Sequence, residues 1–131
     1  MITGINHITL AVSDLGRSIR FYQDTLGCRL VSRRAGDAYF DVGGSWLCLS
    51  LDAAARDQIR SDYTHLALSV PADRFKEFTQ RLLELDVSVW KENRSEGESM
   101  YFLDPDGHKL EGHVGDLQSR LASFEEDRVY G

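Results

Sequence analysis

The chain has 131 residues, 42% of them hydrophobic and 27% charged, and its formal net charge is −6. These values are typical of one soluble domain that is large enough to bury a core. No apolar run approaches the ~20 residues of a membrane helix, and the start lacks a signal-peptide pattern, so we expect a cytoplasmic protein. The acidic balance, without any basic block, disfavours nucleic-acid binding. Cys28 and Cys48 lack CxxC spacing and are expected to be free thiols.

The first half of the chain predicts a strand, a helix and three further strands. Residues 5–12 alternate between two faces, which places His7 and Thr9 on the same face. Apolar residues then recur at helical spacing over 15–26, behind Ser13 or Asp14 as a helix cap. Short strands are predicted at 28–33, 37–42 and 45–51, and a polar connector follows at 52–62.

After this connector the same pattern begins again. Residues 63–70 repeat the layout of 5–12, with His65 at the position of His7. A second helix is predicted between Phe75 and Leu85, and strands follow near 87–91, 99–104 and 108–114 before a terminal helix at about 116–125. We therefore predict an α+β fold. A single domain over 1–131 would contain two paired βαβββ modules, at about 4–52 and 62–115, that form a cleft around a metal.

The histidines at equivalent positions of the two modules are candidate metal ligands. If equivalent strands face each other, His7 and His65 come together with Glu111 from the last strand. Two histidines and one carboxylate with open positions suit a divalent first-row metal that acts as a Lewis acid. His113 shares the face of Glu111, and is either a competing ligand or a structural neighbour. His108, beside the tight turn 105–107, is expected to be exposed to solvent.

Long tracts of the sequence resemble a known family. NHITLAVSDL near the start resembles the vicinal-oxygen-chelate superfamily, and within it WLCLSLD, SDYTH, WKENRSEGESMYFLDPDGHKLE and HVGDLQSRL resemble the fosfomycin-resistance glutathione transferases. The similarity runs from Gly4 to about Arg120. It implies an enzyme that opens the epoxide of fosfomycin by adding glutathione, and so confers antibiotic resistance. It also implies Mn²⁺ on His7, His65 and Glu111, K⁺ as an activator, and a homodimer in which His7 of one chain meets His65 and Glu111 of the other.

The resemblance assigns roles to the residues around this metal. Thr9 would hydrogen-bond the epoxide oxygen, Tyr39 would assist the thiol, and both join Lys91 and Arg120 as expected catalytic residues. Pocket lining is expected from Trp46, Cys48 and Tyr63. The phosphonate would be bound by Lys91, Ser95, Ser99, Tyr101 and Arg120. The K⁺ ion would be bound by oxygens of Asn93, Ser95, Glu96, Gly97 and Ser99.

Three alternatives stay open at this point. A fosfomycin hydrolase would activate water with a carboxylate, for which the stretch DVGGSWLC near the middle of the first module offers only Asp41. A related transferase would use cysteine or bacillithiol in place of glutathione. A non-catalytic antibiotic-binding protein of the same fold would bind the drug unchanged, although such proteins often lack the three metal ligands. The sequence also departs from the family at Gly112, Glu98 and Met100, which leaves the local geometry of the last strand and of the K⁺ loop undetermined.

Overall fold

The computed structural model describes residues 1–55, 58–93 and 97–130, with side chains described up to Phe124. The chain divides into two compact units, one formed by 1–61 with 104–108, the other by 62–103 with the residues from 109 onward. Each unit contains one four-stranded sheet. The predicted α+β class with two βαβββ repeats is therefore confirmed. A single domain over 1–131 stays a prediction.

In the first unit, the predicted site residues lie on one face of a four-stranded sheet whose other face packs in the core. This unit contains β1 (His7–Val12), α1 (Leu15–Arg20), β2 (Arg29–Arg33), β3 (Asp37–Asp41) and β4 (Trp46–Leu51). The sheet order is β1-β4-β3-β2, with β1 and β4 parallel and the other neighbours antiparallel. Because side chains alternate along a strand, Phe40, Leu47 and Leu49 are buried in the core. The same alternation turns His7, Thr9 and Tyr39 away from that core.

The first helix changes its winding partway along. The Asp14 carboxylate caps α1 by accepting the amide hydrogen of Arg17 at 3.0 Å. After Arg20 the chain continues as a π-helical turn, Phe21–Thr25, where the sequence predicted one regular helix. Tyr22 in this wider turn is fully buried, and its hydroxyl donates to Asp104 at 2.8 Å. The irregular winding thus coincides with a buried polar contact that helical periodicity does not reveal.

The second unit repeats the topology of the first. It contains β5 (Leu66–Ser69), α2 (Phe75–Glu84), β6 (Val89–Lys91), β7 (Ser99–Leu103) and β8 (Lys109–His113), followed by α3 (Leu117–Tyr130). The sheet order is β5-β8-β7-β6, with β5 and β8 parallel. Helix α3 runs past the predicted 116–125, since no Gly or Pro interrupts the sequence before Gly131. Within the described ranges, no helix is both long enough and apolar enough to span a membrane.

The turn between β7 and β8 belongs to the first unit. The Asp104 carboxylate accepts the backbone amides of Asp106 and His108 at 3.0 and 2.9 Å, and Gly107 adopts a φ of +82°, which glycine takes without steric cost. The expectation that His108 is solvent-exposed is wrong. Its ring is half-buried, because Nε2 lies 2.8 Å from the carbonyl oxygen of Ala11.

Candidate active site

A histidine and a carboxylate of the second unit form the centre of the candidate site. Glu111 lies on β8, between β5 and β7 in the sheet, and is only 7% exposed. His65 lies just before β5, and its Nε2 is 3.0 Å from Glu111 Oε1. The other ring nitrogen, Nδ1, is 2.8 Å from the carbonyl oxygen of Tyr63. Because a carbonyl only accepts hydrogen bonds, Nδ1 carries a hydrogen and Nε2 is the nitrogen that faces Glu111.

This pair fits a divalent cation. A carboxylate oxygen and a neutral ring nitrogen are both acceptors, so their close approach needs a positive species, either a proton on Nε2 or a metal ion. Metal-binding histidines usually donate their other N–H to a carbonyl or carboxylate, as His65 does to Tyr63. Among the side chains described in 1–55, 58–93 and 97–124, no group of three or more His, Cys, Asp or Glu is arranged to hold a metal. The third predicted ligand, His7, belongs to the first unit.

Ser99 and His113 border the second oxygen of Glu111. Ser99 Oγ is 2.6 Å from Glu111 Oε2 and 2.6 Å from His113 Nδ1. The His113 nitrogen is itself 3.4 Å from Glu111 Oε2. Ser99 and His113 face each other across β7 and β8, with Glu111 two residues before His113. Both carboxylate oxygens of Glu111 are therefore occupied, one towards His65 and one towards this pair.

A lysine surrounded by aromatic rings lies next to His65. The Lys91 ammonium donates to the Tyr63 hydroxyl, and it lies 4.6 Å and 4.8 Å from the ring centroids of Tyr63 and Tyr101. The hydrogen bond to Tyr63 raises the pKa of Lys91 above its ordinary value. Both rings also contact His65, at centroid distances of 4.9 and 6.0 Å. The structure thus places a persistent cation beside the candidate metal pair.

Trp90 is a neighbour of this cluster that the sequence did not predict. Its ring lies 5.4 Å from His65 and 5.1 Å from Tyr101, and its indole N–H donates to the Leu110 carbonyl at 3.0 Å. Simple alternation would place adjacent residues 90 and 91 on opposite faces of β6. A register shift between Val89 and Lys91 breaks that alternation, as β-bulges do, and both side chains contact Tyr63.

The other predicted site residues of the second unit belong to the loop after β6 and to helix α3. The Asn93 side-chain amide donates to the Gly97 carbonyl at 3.0 Å, which closes the described ends of the predicted K⁺ loop. Ser95 and Glu96 lie outside the described residues. The guanidinium of Arg120, on α3, packs 5.3 Å from the ring of Phe124. The K⁺ role of the loop and the phosphonate role of Arg120 stay predictions.

The first unit brings the other predicted residues together. His7 and Trp46 are ring-stacked at 4.6 Å, and His7 Nδ1 is 2.7 Å from Asn6 Oδ1, which leaves Nε2 as the available ring nitrogen. Thr9, Cys48 and Tyr39 are direct neighbours across β1, β4 and β3. Burial raises the pKa of the Cys48 thiol, and it raises that of Cys28 to about 11. Both cysteines are free, as predicted, and neither is poised as a thiolate.

Arg34 and Asp37 lie close to Tyr39, and no pattern in the sequence predicted them. Arg34 donates to Asp37 through Nε at 2.9 Å and Nη2 at 2.5 Å. Its guanidinium lies 5.9 Å from the ring centroid of Tyr39. An arginine and an aspartate three residues apart in a hairpin resemble an ordinary surface ion pair. Only their proximity to Tyr39 connects them with the candidate site.

Comparison with known proteins shows the superfamily to which the chain belongs. The model of the Glyoxalase/Bleomycin resistance protein/Dioxygenase superfamily matches residues 4–111, and the chain belongs to that superfamily. Glutathione transferase FosA of Serratia marcescens is 49% identical over 133 residues, which cover 100% of this chain and 94% of the relative. Metallothiol transferase FosB of Lysinibacillus sphaericus is 37% identical and covers 98% of this chain and 94% of the relative.

A solved structure of a fosfomycin resistance protein is also similar to this chain. A mutant of the fosfomycin resistance protein FosX of Listeria monocytogenes, complexed with Mn(II) and 1S,2S-dihydroxypropylphosphonic acid, matches with a TM-score of 0.81 and 30% identity. The match covers 95% of this chain and 99% of that chain. The resemblance to fosfomycin-resistance glutathione transferases, predicted from the sequence, is thereby confirmed.

Proposed function

We propose that this chain inactivates fosfomycin by adding the thiol of glutathione to its epoxide, and so confers resistance to the antibiotic. The observation that carries the proposal is the convergence of His65 Nε2 and Glu111 Oε1 at 3.0 Å, next to the Lys91 cation. A metal-binding pair beside a fixed positive charge suits a small anionic substrate whose oxygen becomes negative during the reaction. The 49% identity to a glutathione transferase over the whole chain supports the choice of co-substrate.

His7, His65 and Glu111 are the proposed ligands of a divalent metal, with Mn²⁺ as the proposed ion. When bound, such an ion supplies a Lewis acid for the oxygen of the opening epoxide. His65 and His7 each have Nδ1 occupied, by the Tyr63 carbonyl and by the Asn6 side chain, so that Nε2 is presented in both. We further propose a homodimer in which His7 of one chain completes the site of the other. Dimerisation would then be part of the mechanism.

The proposed phosphonate partners are Lys91, Ser95, Ser99, Tyr101 and Arg120. Lys91 supports this role best, because its hydrogen bond with Tyr63 raises its pKa and keeps it charged. A positively charged N–H donor binds phosphonate oxygens more strongly than a neutral one. The proposed K⁺ ligands are the oxygens of Asn93, Ser95, Glu96, Gly97 and Ser99. This ion would balance the negative charge that collects around the substrate.

The first unit supplies the proposed thiol side of the pocket. Tyr39 would orient the incoming thiol, and Thr9 would donate its hydroxyl hydrogen to the epoxide oxygen. Trp46, Cys48 and Tyr63 would line the pocket. Burial raises the pKa values of Cys28 and Cys48, so neither cysteine is suited to be the nucleophile, and the proposed nucleophile is the thiol of glutathione.

Hydrolysis is the second candidate function, and a specific observation bears on it. A mutant of FosX, which shares the fold, is complexed with a dihydroxy phosphonate, the kind of product that attack by water on the epoxide would give. In this chain the stretch DVGGSWLC of the first module contains one acidic residue, Asp41. Its carboxylate accepts the amide of Gly43 at 3.0 Å and lies 3.5 Å from Arg29. An ion-paired, exposed carboxylate is a poor general base, which favours thiol addition.

The proposal is tested by following the loss of fosfomycin while glutathione, Mn²⁺ and K⁺ are omitted in turn. We expect turnover to need glutathione and a divalent metal, and to fall without K⁺. Glu111→Gln should abolish turnover and weaken Mn²⁺ binding. Full turnover without glutathione would contradict the transferase proposal. Stoichiometric binding of unchanged drug in equilibrium dialysis, independent of Mn²⁺, would instead indicate a sequestering protein.

A further inference from the structure

Ser99 occupies the centre of a short hydrogen-bonded chain that ends on Glu111. Its hydroxyl oxygen is 2.6 Å from both Glu111 Oε2 and His113 Nδ1. Ser99 is only 9% exposed, so water does not replace these contacts easily. A serine hydroxyl has one hydrogen, and it therefore donates to only one of the two neighbours.

The chemistry of the three groups determines where that hydrogen lies. Glu111 as a carboxylate has acceptors only, so Ser99 must donate to Glu111 Oε2. His113 Nδ1 must then be the donor to Ser99 Oγ, because the serine has no second hydrogen. The chain of donors runs from the His113 N–H through the Ser99 hydroxyl to Glu111. In this arrangement the Ser99 hydrogen lies on Glu111, and Ser99 could donate it to a phosphonate only by giving up that hydrogen bond.

The fold holds the His113 ring in the orientation that this chain requires. Ser99 and His113 are direct partners across β7 and β8. Gly97 also lies close to the His113 ring, and its φ is +71°. A Cβ at this position would lie 2.6 Å from the Val114 carbonyl oxygen and 3.4 Å from His113 Cε1. The backbone of Gly97 thus packs closely on the imidazole ring. Glycine is the residue type that permits this approach.

We propose that His113 is a positioning residue that acts through Ser99 on Glu111. By donating to Ser99, it fixes the hydroxyl hydrogen on Oε2 and so aims the other carboxylate oxygen, Oε1, at His65 Nε2. This inference rests on the proposed role of Glu111 as a metal ligand, and it adds two residues that support the ligand without touching the metal. Partners of this kind typically change metal affinity about 10- to 100-fold when they are removed.

The test is the dissociation constant of Mn²⁺, measured by titration of the metal-free protein without fosfomycin or glutathione. Ser99→Ala and His113→Leu should each weaken Mn²⁺ binding about 10- to 100-fold. His113→Asn should stay much closer to wild type, since its amide N–H can take the place of Nδ1–H. The double variant Ser99→Ala/His113→Leu should be little weaker than Ser99→Ala alone, because His113 acts mainly through Ser99 at 2.6 Å and approaches Glu111 Oε2 itself only to 3.4 Å.

His108→Asn is the matched control. It removes a half-buried histidine of the first unit that takes no part in the hydrogen bonds between His113, Ser99 and Glu111. It should lower the unfolding temperature without changing Mn²⁺ affinity. Wild-type affinity in His113→Leu, or additive losses in the double variant, would overturn the proposal. Weakened phosphonate binding with unchanged Mn²⁺ binding in Ser99→Ala would also overturn it.

The ring nitrogens of His113 give a second measurement in the metal-free protein. Their ¹⁵N chemical shifts should show a hydrogen on Nδ1, and a bare Nδ1 that accepts from Ser99 would overturn the proposal. Neither measurement uses the antibiotic or the thiol. Failure of the transferase proposal, seen as hydrolysis or sequestration in the turnover assay, is therefore distinguishable from failure of this one.

Discussion

Asp106 accepts hydrogen bonds from both the backbone amide and the hydroxyl of Ser13, although 93 positions separate the two residues. The distances are 3.2 Å from the amide and 2.5 Å from the hydroxyl, and Arg17 adds an ion pair at 3.3 Å. Asp106 is 2% exposed, so these donors replace the water that a buried carboxylate loses. Ser13 directly follows β1, the strand of His7 and Thr9. The Asp-Pro-Asp-Gly turn therefore supports a strand that carries predicted site residues.

Removal of this contact should destabilise the protein strongly. Asp106→Ala leaves the Ser13 amide and hydroxyl without their buried acceptor, and we expect a loss of about 2–3 kcal/mol in the free energy of unfolding. Urea denaturation measures it. The exposed Asp73→Ala is the control and should stay within about 0.5 kcal/mol of wild type. Equal effects of the two substitutions would show that the contact does not contribute.

Asp104 should make stability depend on pH in an unusual direction. Burial raises the pKa of its carboxyl above the ordinary 3.8, against the opposing effects of His108 and Tyr22. The folded state then holds the proton more tightly than the unfolded state, so the stability that this group contributes is fully present below about pH 3.8 and is lost as pH rises through the folded pKa. Asp104→Asn stays neutral throughout.

The measurement is the difference in unfolding free energy between wild type and Asp104→Asn at a series of pH values. Wild type should lose stability relative to the variant as pH rises from about 3.8, and the difference should level off above the raised pKa. The asparagine can still accept the backbone amides of Asp106 and His108. A difference that is flat, or that grows in favour of wild type with rising pH, would contradict the assignment.

Gly112 should be intolerant of even a methyl group. A Cβ at this position would lie 2.5 Å from Phe78 Cε1 and 3.2 Å from Val70 Cγ2, so the aromatic ring of α2 already fills the space. Gly112→Ala should cost about 1–3 kcal/mol of stability, and Phe78→Leu in the same chain should recover part of that loss. Thermal unfolding of the two single variants and the double variant gives the coupling.

Gly36→Ala is the control for this substitution, because no atom of the described residues, its two chain neighbours apart, lies within 4 Å of the added Cβ. It should leave stability nearly unchanged. If Gly112→Ala behaves like Gly36→Ala, or if the effects of Gly112→Ala and Phe78→Leu simply add, the packing argument fails.

Lys91 should act mainly in substrate capture. Lys91→Met keeps the length of the side chain and removes its charge, and we expect KM for fosfomycin to rise on the order of tenfold or more, with a smaller change in kcat. Steady-state kinetics at saturating glutathione measures the effect. Lys76→Met, on the exposed face of α2, is the matched control and should leave KM unchanged. An unaltered KM in Lys91→Met would remove this lysine from the phosphonate site.

Alternation and repetition in the sequence predicted most of the fold. The period of two placed the strands, and the match of 63–70 to 5–12 predicted two sheets of the same topology, which the structure contains. Helical periodicity did not predict the π-helical turn at Phe21–Thr25, which coincides with the burial of Tyr22 against Asp104, a partner 82 positions away. His108 was misjudged for a similar reason, since its partner is the distant Ala11 carbonyl.

The site was predictable in its residue types and less so in its contacts. Sequence reasoning identified His65, Glu111 and Lys91, which the structure brings together. It missed Trp90, because a register shift in β6 overrides the alternation. It also left the role of His113 open, since strand periodicity shows that His113 and Glu111 share a face but not that Ser99 bridges them. Contacts of this kind depend on which strands pair and in what register.

The mass of the product distinguishes addition of glutathione from hydrolysis. Purified protein loaded with Mn²⁺ is incubated with fosfomycin and glutathione in the presence of K⁺, and the products are analysed by mass spectrometry. The account predicts one product whose mass is the sum of fosfomycin and glutathione. A product with the mass of fosfomycin plus one water, formed equally well without glutathione, would contradict it.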